Sequence, residues 1–171
     1  CQAMKADKPC CDMPCCNQQP PTVAMPDEVI TDPFFQALQT EPPLGIIRTF
    51  VTDDADAQKG TLDLKSRGTR IVVDAARTFA LGFGLTETGA AARLRVAGAR
   101  LKIEPRHVDA TIEGFHFLQL LRLRKQYVPG AHADANRIDP YALNEVDQRM
   151  LKEAFRQARK LQQRLRQTHR L

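Results

Sequence analysis

The chain has 171 residues, 43 % of them apolar and 26 % charged, with no Trp, two Tyr and eight Phe; this suits one globular domain with an aliphatic core plus a tail, and excludes two large domains or disorder throughout. The formal net charge is +5, but residues 1–144 hold 17 basic and 17 acidic side chains, so the excess lies in residues 145–171, where eight Lys/Arg face Glu145, Asp147 and Glu153; one basic helix points to nucleic acid less strongly than a basic protein does. No window has the length and apolarity of a membrane span and the N-terminus carries no signal pattern, so a cytoplasmic protein without membrane attachment is expected.

Residues 1–26 are rich in Cys, Pro, Gln and Lys and are expected to form a disordered leader. All five cysteines lie here, as Cys1, Cys10-Cys11 and Cys15-Cys16, so no disulfide can staple the remainder. Four close sulfurs could take Zn²⁺ or Cu⁺, but adjacent cysteines are awkward tetrahedral ligands and no zinc-type spacing or His accompanies them. The first residue is not Met, which is expected of a fragment, a processed product or an unusual translation start.

Residues 27–59 are expected to form an accessory helix and loop. Thr31 or Asp32 caps the helix, Pro33 sits in its first turn, Phe34, Phe35 and Leu38 form its apolar face, and Pro42-Pro43 ends it. Leu44 to Val51 is apolar, and Thr52 to Gly60 is polar enough for a surface loop.

From residue 60 to 171 the pattern predicts a helical bundle. Ile71, Val72, Ala75, Ala76, Phe79, Leu81 and Phe83 recur at three- and four-residue steps, which predicts a buried helix over Arg70 to Phe83, ended by Gly82 and Gly84. A short peripheral helix is expected from about Thr88 to Ala99, with Ala91, Leu94, Ala97 and Leu101 inward and Arg93, Arg95 and Arg100 outward. The central helix runs from Pro105 to about Tyr127, with Val108, Ile112, Phe115, Leu118 and Leu121 as its stripe, widened by Phe117 and Leu120, and Pro129-Gly130 stops it. The last helix opens on Asn144 as N-cap with Asp147 three residues on, and buries Val146, Met150, Phe155, Ala158, Leu161 and Leu165. The predicted fold is all-α, an antiparallel bundle of about four main helices.

Three stretches then stand out together: KGTLDLKSRGTRIVVDAARTFAL (Lys59 to Leu81), GFHFLQLLRLRKQ (Gly114 to Gln126) and IDPYALNEVDQRMLKEAFRQARKLQQRL (Ile138 to Leu165), preceded by PPLG (Pro42 to Gly45). In order and spacing, over about residues 42–166, they resemble the family called "putative nucleotidyltransferase substrate-binding domain", found at the C-terminus of bacterial signalling proteins with CBS and cyclic-nucleotide-binding modules. The pairing of LDLK with a distant IDP…LKEAF is the specific part. The resemblance implies a helical domain that holds the acceptor or substrate for a catalytic module related to the enzymes that uridylylate the PII protein. Mg²⁺ and a nucleoside triphosphate are expected only with that module, and a PII-type or other acceptor protein is the implied partner.

The chemistry of nucleotidyl transfer needs a Gly-Ser turn for the triphosphate and paired carboxylates for Mg²⁺. The chain has no Gly-Ser, and its one Asp-x-Asp, Asp54-Ala55-Asp56, lies in a polar loop, so activity from this chain alone is not expected. Asp74 and Arg77, three apart on a helix, form either a structural ion pair or part of a ligand cleft, with Lys65 or Arg122 as further partners. Arg122, Arg124 and Lys125 complement the end of the central helix. Arg122 and Arg124 cannot share a face, so one can turn inward and clamp a phosphate or carboxylate. Lys65, Asp74, Arg77, Arg122 and Arg124 are therefore the candidate substrate contacts. The basic face Arg149, Lys152, Arg156, Arg159, Lys160, Arg164, Arg166 and Arg170 lacks interleaved aromatics, which disfavours nucleic acid. His107, His116, His132 and His169 show no triad or ligand spacing. The alternatives to the family's role are a stand-alone helical interaction or regulatory domain and a basic nucleic-acid-binding bundle.

Overall fold

The computed structural model describes residues 34–45, 49–54, 58–127 and 135–168. The leader with its cysteines, the Thr31–Pro33 helix start, Pro129-Gly130, His132, His169 and Arg170 lie outside the described residues. Residues 34–39 form helix α1. Strand β1 (Leu62–Asp63) leads into one π-helical turn (Lys65–Thr69), which runs directly into α2 (Arg70–Phe83). Then follow α3 (Ala90–Arg100), α4 (Pro105–Gln126), strand β2 (Arg137–Ile138) and α5 (Glu145–Thr168). The architecture is the expected all-α bundle, with a two-residue ladder added.

The helices begin and end where the sequence supplies chemistry for it. Pro105 opens α4, a position where a missing N–H costs nothing. Asn144 caps α5 in both directions: its Oδ1 accepts from the Asp147 N–H at 2.9 Å, and its Nδ2 donates to Asp147 Oδ2 at 3.1 Å. Helix α3 begins two residues later than expected, after Gly89. It is less peripheral than its length implied, because Leu94 and Ala97 enter the core.

The core has two parts. One joins Phe34 and Ala37 of α1 to Ile71, Ala75 and Phe79 of α2, to α3, and to the first half of α4 and the second half of α5. The other gathers Leu44, Phe50, Leu62, Leu64 and Ile138 between the second half of α4 and the first half of α5. Helices α4 and α5 are antiparallel neighbours, Gly114 lying against Ala154 and Arg124 against Asp147. A Cβ at Gly114 would stand 3.0 Å from the Cα of Ala154, so the close approach of these backbones requires glycine. At Gly68 of the π turn the neighbours are side chains, those of Leu118 and Phe155 standing 3.2 and 3.4 Å from where a Cβ would be.

Residues 34–45 and 49–54 are bound into this core by α5. Gln162, buried at 2 % exposure, donates its amide to the carbonyls of Ala37 and Thr40 at 2.6 and 2.8 Å. Arg159 donates to the Leu44 carbonyl at 2.7 Å, and Lys152 lies 5.1 Å over the Phe50 ring.

Four expectations about faces are corrected. Val146 and Met150 are 67 % and 45 % exposed rather than buried, and the core side of α5 is carried by Leu151, Ala154, Phe155, Ala158, Leu161 and Leu165. Leu120 faces out at 43 % while Phe117 does turn in. Phe35 is exposed, edge-on to Phe34, because successive residues of a helix point in different directions and Phe34 takes the core side.

Candidate functional site

Polar side chains of the quoted motifs converge at one end of the bundle, where β1, the π turn, β2 and the end of α4 meet. The LDLK and IDP stretches are physically paired: Leu62 lies opposite Ile138 and Asp63 opposite Arg137 in an antiparallel ladder, and the Leu64 N–H donates to the Asn136 carbonyl at 2.9 Å. The prolines of PPLG and IDP, Pro43 and Pro140, are among the fully buried side chains.

Asp63 ends β1 and holds the start of the π turn. Its Oδ1 accepts from the N–H groups of Lys65 and Ser66 at 2.8 and 3.0 Å, and its Oδ2 from the Ser66 hydroxyl at 2.8 Å. Burial alone would raise this carboxyl, but the hydrogen bonds from Ser66 and Lys65 and the charge of Arg137 outweigh it and hold the group below the ordinary aspartate value. Asp53 is clamped between Arg67, at 3.2 Å, and Arg137; Arg137 also donates to Thr61 Oγ1 at 3.0 Å. The loop carrying Asp53 was expected to be plain surface. Its Asp instead ties the loop to the turn and the ladder, while the neighbouring Asp54 is exposed.

The five candidate contacts fall into two connected groups and one separate position. Arg122 crosses from α4, donating through Nε to Asn136 Oδ1 at 2.9 Å and through Nη1 to Thr69 Oγ1 at 3.3 Å. Lys65 stands exposed one turn before Thr69 in the same π turn. Asp74 is 3 % exposed and is bracketed by Arg70 at 3.3 Å and Arg77 at 3.7 Å. The Asp74–Arg77 pair thus exists, but its further partner is Arg70 rather than Lys65 or Arg122: Arg70 lies one turn before Asp74, within reach on the same helix. Arg124 is separate, pairing with Asp147 of α5 at 3.2 Å. Arg122 is the inward member of the Arg122/Arg124 pair. It borders a recess of about 240 Å³ lined by Gln119, Arg122, Leu123 and Gln126.

Sequence reasoning missed Asp53, Arg67, Arg137 and Asn136. Arg67 lies inside the quoted KSRGT run and Arg137 directly before IDP, so the signal was there, but only the ladder reveals that they share a carboxylate. The basic face of α5 is partly spent within the protein, Arg149 on Glu145, Arg156 on Glu153 and Arg159 on backbone carbonyls. Among the described residues no group of three or more His, Cys, Asp or Glu is placed to hold a metal ion, and no helix is long and apolar enough to cross a membrane.

A helical domain with this paired LDLK–IDP corner matches a known family. Residues 33–169 fit the family described as "Putative nucleotidyltransferase substrate binding domain", and the chain belongs to it. The match starts ahead of PPLG and so takes in α1. Neither the curated proteins nor the solved structures yield a match.

Proposed function

We propose that this chain holds the acceptor of a nucleotidyltransferase of the PII-uridylyltransferase type, and that the transfer itself, with its Mg²⁺ and nucleoside triphosphate, is performed by an associated catalytic module. Family membership supports the tie to a nucleotidyltransferase. The observation that carries the rest is Arg122. Its guanidinium is oriented by Asn136 and Thr69 at the edge of an open recess. Two of its N–H groups are engaged, and the remaining ones of the fork are left for a carboxylate or phosphate. Lys65 is exposed in the turn that carries Thr69, and Arg70, exposed as well, opens the helix directly after it; Asp74 pairs with Arg70 and Arg77 further along that helix. Salt-dependent nucleic-acid binding is the weaker reading, since much of the α5 charge is engaged internally.

Thermal denaturation with UTP and Mg²⁺, with ATP and Mg²⁺, and with a PII-type protein tests this. A ligand at a hundred times its Kd adds about 2.7 kcal/mol to the folded state. The expected result is a raised midpoint with the PII-type protein that disappears in Arg122→Ala, is largely lost in Arg122→Lys, and survives in Arg149→Ala. A rise that survives Arg122→Ala, or no rise with any of the three, contradicts the proposal.

A further inference from the structure

We propose, resting on the acceptor reading above, that the Arg122 recess takes an extended, acidic segment of a polypeptide, with a carboxylate side chain on Arg122 and the peptide backbone on the amides of Gln119 and Gln126. Gln119, Arg122, Leu123 and Gln126 line the recess and follow one another at steps of three and four residues, so they share one face of α4. Arg122 is partly buried, and its hydrogen-bond partners, Asn136 and Thr69, are both neutral. Its charge thus meets no carboxylate among the described residues, unlike that of Arg124, which Asp147 neutralises. The side-chain amides of Gln119 and Gln126 also have no hydrogen-bond partner among the described residues.

The charge sets the sign of the ligand and its size. No second cation lines the recess, so one negative charge balances it. A carboxylate supplies that single charge, whereas a phosphorylated side chain carries about −1.5 to −2 and is matched by a cluster of arginines. The amides set the rest. Gln119 and Gln126 stand two helical turns apart, about 10.5 Å along the axis, which is the length of about three residues of extended chain. A glutamine amide offers both donors and an acceptor, the complement of a peptide group. Leu123, 50 % exposed between the two amides, gives apolar cover to a side chain next to the acidic one. A lone carboxylate or phosphate would engage Arg122 and leave both amides unused.

NMR titration of the full chain tests this with an acetylated, amidated pentapeptide that has glutamate at its centre and otherwise valine and threonine, which favour extended backbone. Saturable shifts are expected at the side-chain amides of Gln119 and Gln126 and at the Arg122 guanidinium. Exchanging the peptide's glutamate for glutamine should weaken binding at least about tenfold, the scale of a hydrogen bond to a charged group. Gln119→Ala and Gln126→Ala, both at exposed positions, should each weaken it about three- to tenfold, the scale of a neutral hydrogen bond, with the melting midpoint unchanged. N-acetylglutamate amide, which keeps the carboxylate but little backbone, should bind more weakly than the pentapeptide. The proposal is overturned by the absence of a saturable shift, by equal binding of the glutamate and glutamine peptides, or by tighter binding of a phosphoserine-centred peptide. It is overturned equally by N-acetylglutamate amide binding as tightly as the pentapeptide, or by binding indifferent to both glutamine variants. The acceptor reading is judged apart from it: a midpoint rise with the PII-type protein that depends on Arg122 but not on Gln119 or Gln126 keeps the acceptor at Arg122 and removes the extended segment.

Discussion

Asp63 shows how a single side chain organises the corner that carries the site. Its carboxylate takes three hydrogen bonds from the turn that follows it and sits beside Arg137. Because the folded group ionises below the ordinary aspartate value of about 3.9, the stability it contributes is complete above that pH and is lost as pH falls through the folded value. Asp63→Ala should cost about 1 kcal/mol at neutral pH, as for the loss of a helix cap. Asp63→Asn, which keeps an acceptor but not the charge, should flatten the acid limb of the stability curve, checked by urea titration between pH 3 and 7. An acid limb equally steep in Asp63→Asn would show that other carboxylates carry it. Glu153 works in the same sense, with burial raising its carboxyl and Gln157, Arg156 and Lys160 bringing it below its usual range. At this scale the sequence was partly legible. The type of residue announced the Asp74–Arg77 pair, because spacing on a helix is local. The Asp53–Arg67–Arg137 clamp joins positions far apart in the chain, and no spacing rule reaches that far.

The helices were the easiest elements to foresee, because buried helices write a 3.6-residue period into the chain; α2 runs over the span its apolar residues predict. The strands and the π turn left no such mark. Two-residue strands are too short to alternate, and a π turn differs from α-helix by one extra residue in its hydrogen-bonded ring. Apolarity alone predicts Val146 and Met150 inward, yet Leu151 and Phe155 already fill that side of α5. A polar residue was harder still to place: Gln162 is buried and supplies donors to the carbonyls at the end of α1, groups that a short helix leaves without partners. Gln162→Leu should therefore cost about 1–3 kcal/mol, the range for stranding buried acceptors, and hydrogen exchange should quicken in residues 34–39 before it does in α4. Uniform quickening along the chain would mean that α1 and the bundle open together and that Gln162 is not a local tie.

Over the whole molecule, the LDLK and IDP stretches stand apart in the sequence as two motifs and meet in the structure as one ladder. Resemblance supplied the class of function; the fold supplied the recess. What neither composition nor period could convey is that Arg122 and Arg124, two residues apart, serve different surfaces: one faces Asn136, Thr69 and the recess, the other bridges to α5. In the proposed function the acceptor sits at the Arg122 corner. Hydrogen exchange of the full chain, with and without a PII-type protein, maps this most directly. Slowed exchange is expected in residues 64–70 and 119–126, with unchanged exchange along the outer face of α5, and Arg122→Ala should abolish the difference. Protection confined to α5, or protection that persists in Arg122→Ala, would contradict it.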